Sequence, residues 1–80
     1  MKLCEKKLGR EKALGMADTD SDGRQVVLVD PRQPSRERLD TLLHEGLHHL
    51  CPGWSEGKVR RAANRLRALL WKDGWRRIEK

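Results

Sequence analysis

The stretch from Ser35 to Cys51 satisfies only one periodicity, and it carries the most distinctive residues of the chain. Leu39, Leu42, Leu43, Leu47 and Leu50 recur at three- and four-residue spacing, which stacks them on one face of an α-helix and scatters them over both faces of a strand. Gly46 lies on the same face. Ser35 is well placed as an N-cap, Glu37 falls in the dipole-favoured first turn, and Cys51-Pro52-Gly53 ends the helix. His44, His48 and Cys51 run along one edge of the apolar stripe, at the border between core and water.

The rest of the chain supplies few elements to pack against this helix. Lys2 to Leu8 reads as a short first strand, with Gly9 and Gly15 as punctuation. Leu14 to Asp18 pairs as a hairpin with the β-branched run Gln25-Val26-Val27-Leu28-Val29, across the turn formers Asp18 to Gly23, and Pro31 stops the second strand. A second helix starts after Ser55 as N-cap, with Trp54 positioned to staple on Val59. Its apolar stripe is Val59, Ala62, Ala63, Leu66, Leu69 and Leu70, and Asp73-Gly74 is its stop. The expectation is one α+β domain over residues 1–80: a small antiparallel sheet of two to three strands, with both helices packed antiparallel on one of its faces.

Eighty residues bury little core, so a bound metal or a second copy would help to hold the fold; a monomer or small homo-oligomer is expected. The N-terminal residues lack a signal core and no apolar run is long enough to cross a bilayer, so a cytoplasmic protein without membrane contact is expected. In that compartment Cys4 and Cys51 are thiols rather than a bridge. Half of the 18 Lys and Arg residues fall between Lys58 and Lys80, which makes the C-terminal segment the basic end of a chain of net charge +6. Most of these cations read as the solvated face of an amphipathic helix. Arg60, Arg61 and Arg65, with Trp71 and Trp75 as stacking surfaces, leave nucleic-acid binding as an alternative.

His44-Glu45-Gly46-Leu47-His48 is an H-E-x-x-H sequence. Two imidazoles four residues apart on a helix stand one above the other and can each give a ring nitrogen to one Zn2+ ion. The intervening Glu45 is then placed as general base, taking a proton from a water whose pKa the metal lowers and passing it to a leaving amine. A catalytic zinc site needs a third protein ligand. Glu56 is the best candidate, being in the first turn of the second helix and near the face that looks at the first; its competing role is to favour that helix N-terminus.

Cys51 is a rival ligand, but three donors on one short helix surround a tetrahedral ion poorly, and a buried inert thiol fits better. His49 points about 100° away from His48 and cannot share its metal. Asp18-x-Asp20-x-Asp22-Gly23 opens like a calcium loop; Val29 then stands where the bidentate glutamate belongs, so a tight acidic hairpin turn is the better account.

The run Leu42 to Leu50, with Trp54-Ser55-Glu56 and the periodic helix ending Leu69-Leu70-Trp71, resembles the compact H-E-x-x-H proteins of phages and prophages, taken as metallopeptidases of the zincin group. A glutamate as third ligand places the likeness nearest the gluzincin branch and covers roughly residues 14–75. By this resemblance His44, His48 and Glu56 would bind zinc, Glu45 would be catalytic, and an edge strand beside the active-site helix would hold an extended peptide substrate. The chain departs from the pattern at Arg60, where larger gluzincins carry an acidic residue, and in having no tyrosine to stabilise an oxyanion. Asp40, one turn before His44, is the candidate second partner of that histidine. A non-catalytic module with a structural zinc site is the other alternative.

Overall fold

The computed structural model describes residues 1–8 and 14–78, and the turn expected at Gly9 lies outside them. Three strands, β1 (Lys2–Glu5), β2 (Gly15–Thr19) and β3 (Gln25–Val29), precede two helices, α1 (Ser35–Leu50) and α2 (Glu56–Lys72). The α+β class holds, with a sheet of mixed rather than antiparallel pairing. β3 is central in the order β1-β3-β2, antiparallel to β2 with Asp18 opposite Val26 and parallel to β1 with Leu3 opposite Val27. The hairpin partner takes one edge of β3, so β1 takes the other.

The central strand is β-branched because both of its faces are covered: Val26, Val27 and Val29 are buried. Its hairpin turn is closed by the Asp20 carboxylate, which accepts the N–H groups of Asp22 and Arg24 at 2.9 Å each, while Gly23 takes the left-handed φ of +80°. Lys2 Nζ reaches the other oxygen of Asp20 at 3.2 Å. The acidic cluster is therefore a hairpin turn, its central carboxylate spent on backbone donors and a lysine.

α1 lies between the other elements, with β2 and β3 on one side and α2 on the other. Sequence periodicity predicts both helices on the sheet; instead α2 packs on α1. A helix with one neighbour buries a narrow stripe, which is why Val59 and Ala63 are fully buried while Leu66 and Leu69, at its margin, are 41% and 64% exposed. Leu50, in the last turn of α1, is exposed too. Val29 and Val59, the largest fully buried side chains, contribute roughly 1.5–3 kcal/mol each. No described helix is long and apolar enough to cross a membrane.

The two helix starts differ. Ser55 caps α2 as expected, its Oγ accepting the Lys58 N–H at 3.2 Å, a bond that contributes about 1 kcal/mol. α1 starts at Ser35 as expected, but Ser35 is not its cap: Pro34 holds the cap position and its side chain has no acceptor to offer, and Ser35 Oγ accepts instead from the Arg77 N–H at 2.7 Å.

Buried polar side chains tie the loops together. Asp30, 5% exposed, accepts the N–H groups of Leu8 and Arg32 and a two-pronged contact from the Arg32 guanidinium. Hydrogen bonding from that guanidinium, ahead of the backbone donors, holds the Asp30 carboxyl well below the usual carboxylate range. A depressed folded-state pKa stabilises above the unfolded value of about 3.9, and that contribution is lost as pH falls through the folded value. Asp30→Asn is therefore expected to lower the melting temperature by at least about 5 °C at neutral pH and to flatten its decline on acidification below about pH 5, read by circular dichroism. Wild-type and variant curves running parallel down to about pH 2 would contradict this role.

Candidate metal centre

α1 sets His44 and His48 one turn apart, with ring centroids 4.8 Å from each other, and the two Nε2 atoms are 3.2 Å apart. The loop Cys51–Ser55 then turns the chain so that Glu56, first residue of α2, faces them. Glu56 Oε1 is 2.7 Å from His44 Nε2, and its Oε2 is 2.8 Å from His48 Nε2. All three predicted ligands thus converge, and they form a donor cluster of the kind that holds a metal ion.

Protons alone satisfy this triangle poorly. If each Nε2 carries hydrogen toward Glu56, two donors face each other at 3.2 Å; if either is bare, its lone pair meets a carboxylate oxygen inside 3 Å. A cation accepts all three lone pairs at once. Donors on a tetrahedral zinc at about 2.0–2.1 Å stand about 3.3 Å apart, so the contacts need open by only about half an ångström. Two imidazoles and a carboxylate are also the ligand types that suit zinc. Desolvation pushes the Glu56 carboxyl up, but the His44 and His48 charges and hydrogen bonds together outweigh it and the net shift is downward.

Glu45 sits between the histidines in sequence and beside them in space. Burial pushes its carboxyl upward, only partly offset by His44 and His48, and among the described residues no hydrogen bond or ion pair engages it. It lines a cleft of about 280 Å³ together with His44, Asp40, Thr41, Leu14 and Gly15. A base half-shielded from water and sharing a cleft with His44 is free to take a proton.

The wall opposite Glu45 is the start of β2 at Gly15, a residue of the expected hairpin strand that the sequence marks only as punctuation. A Cβ placed on Gly15 would clash with Thr41 Cγ2 and lie 3.2 Å from Glu45 Cγ, so only glycine lets β2 come this close to α1. A polar relay fixes the approach: buried Thr41 donates its hydroxyl to Gln33 Oε1 at 2.7 Å, and Gln33 Nε2 donates to Leu14 O at 2.8 Å. Glycine as a close-approach residue was the one available signal.

Other candidates have different roles. His49 Nε2 donates to Val26 O at 2.8 Å and Gln25 Nε2 donates to His49 O at 3.2 Å, tying the last turn of α1 to β3. Cys4 and Cys51 are free thiols, and Cys51 stands outside the metal cluster, closing α1 through its N–H to Leu47 O. Asp40 faces Arg67 Nε at 3.7 Å rather than His44. Arg60 lies 3.7 Å from Glu56, one turn back along α2. Lys58 stands 4.5 Å over the Trp54 ring and Arg76 stacks 3.3 Å from Trp71, so one face of each indole is covered by the protein's own cation.

Gly15→Ala is expected to cost about 1–3 kcal/mol of stability and to displace Glu45, read as a lower denaturant midpoint and shifted Glu45 side-chain resonances. Unchanged stability and spectra would show that β2 does not brace the base. Compared with known proteins, the chain matches no family model, no curated protein and no solved structure, so its site stands on its own geometry.

Proposed function

We propose that this chain is a minimal zinc-dependent peptidase, and that the convergence of His44 Nε2, His48 Nε2 and the Glu56 carboxylate is what carries the reading. Bound there, zinc would supply Lewis-acid polarisation of a scissile carbonyl and would lower the pKa of water. Three ligands from two helices leave one side of the cluster open, which a purely structural zinc site would close with a fourth.

The chain's own residues divide the remaining work. Glu45 takes a proton from the attacking water on a carboxylate oxygen and gives it to the leaving amine. Burial favours that exchange by pushing its carboxyl upward. Among the described residues β2 pairs with β3 along one side only, so its other side offers N–H and C=O groups for an extended peptide. Gly15 sets the start of that strand against Glu45, so a peptide laid along β2 passes the base. Arg60, poised near Glu56, steadies the carboxylate that the ligand set needs. The substrate class is an extended, unstructured peptide.

Zinc titration by calorimetry, with cleavage of a mixed peptide pool read by mass spectrometry, tests the reading. The wild-type chain is expected to bind one zinc and cleave; Glu56→Gln and His44→Ala should each lose at least about tenfold in zinc affinity. Glu45→Gln should keep the metal and lose about 10²–10⁴-fold in kcat/KM. Cleavage that survives Glu45→Gln, or a zinc-loaded wild type that cleaves nothing, counts against a peptidase.

A further inference from the structure

We propose that the cleft between the first turns of α1 and the segment Trp75–Arg77 binds an organic carboxylate with an apolar body. This cleft is separate from the metal centre. Arg38, Leu39 and Leu42 line it, and none of His44, His48 and Glu56 does.

A buried guanidinium with capacity to spare is the central observation. Arg38 is 6% exposed, an uncommon state for an arginine. Its Nη2 forms an ion pair with Glu5 Oε1 at 3.0 Å, yet its Nη1 is buried with no acceptor among the described residues. A charged donor left without a partner away from water is costly; Nη1 has no exposed surface, so an acceptor recovers that cost only once the cleft wall moves aside to admit it.

The surroundings define the acceptor. Arg77 Nη2 donates to the same Glu5 oxygen at 3.1 Å, so these guanidiniums already gather round one carboxylate and retain a net positive charge. Pro34 caps α1 without a side-chain acceptor, leaving first-turn N–H groups uncapped beside Ser35 at the cleft. The walls are mostly apolar, formed by Leu39, Leu42 and Trp75, and the volume of about 230 Å³ exceeds the ~150 Å³ that admits a benzene ring. A strongly hydrated phosphate gains nothing from those walls, whereas a carboxylate carrying an aliphatic or aromatic group uses both halves of the site. Trp75 and Arg77 are 59% and about half exposed, so their side chains can rotate into solvent to admit it.

Such a carboxylate has two sources, a free organic acid or the C-terminus of a polypeptide ending in an apolar residue. The test titrates zinc-free full-length chain with 3-phenylpropionate, its neutral amide, N-acetyl-leucine and inorganic phosphate, following the Trp75 indole resonance. Saturable shifts are expected for both acids, at least about tenfold weaker binding for the amide, and no competition from phosphate. Tighter binding of N-acetyl-leucine identifies the polypeptide source and tighter binding of 3-phenylpropionate the free acid; either supports the site. Arg38→Gln is expected to weaken the acids at least about tenfold; should it fail to fold, Arg77→Gln at the surface is expected to weaken them about threefold or more. Glu56→Gln should leave binding unchanged, because the metal ligands take no part. Acid and amide binding alike, phosphate displacing the acids, loss of binding in Glu56→Gln, or no saturable shift by about 10 mM overturns the proposal.

Discussion

Two ring nitrogens and one carboxylate held within about 3 Å of each other form the contact on which the structure around them depends. His44 and His48 come from successive turns of α1, and Glu56 comes from the first turn of α2, so their meeting fixes how the two helices are joined. Without a cation, the three groups compete for protons at distances where not all lone pairs can be covered. A cation bound there, as proposed, would make the same positions a three-point bond between the two helices. Local chemistry and global packing thus rest on a single cluster.

The thinness of the core gives this cluster its weight. Five apolar residues, Val26, Val27, Val29, Val59 and Ala63, are buried among the described residues, and α2 packs on α1 rather than on the sheet. Small domains of this kind draw on polar ties and ligands to reach useful stability. Asp30 with Arg32 orders the loop after β3, Thr41 with Gln33 ties α1 to that loop, and His49 with Val26 ties the last turn of α1 to β3. They hold β2 against α1 and so bring the free strand edge to Glu45.

Periodicity made the two helices legible because each carries leucines, valines or alanines at three- and four-residue spacing, and the H-E-x-x-H spacing put the histidines on one face. Glu56 could be chosen because its position in the first turn of α2 follows from Ser55 as cap, and that cap is observed. The hairpin was legible from its turn chemistry and its valines. What the residues do not encode locally was missed. The parallel pairing of β1 depends on which edge of β3 the hairpin leaves open, and the exposure of Leu66 and Leu69 depends on α2 having one neighbour instead of two. The Ser35 cap failed because a residue forty-two positions away, Arg77, claims that hydroxyl. Asp40 likewise turned to Arg67 across the helix pair, a partner invisible from its own helix.

X-ray absorption at the zinc edge of the zinc-loaded chain tests the central contact most directly, because it reads ligand type and distance without reference to turnover. Two imidazole nitrogens and carboxylate or water oxygens at about 2.0–2.1 Å, with no sulfur shell near about 2.3 Å, are the expected spectrum. A sulfur shell, or a zinc surrounded by oxygen alone, would contradict a centre built from His44, His48 and Glu56.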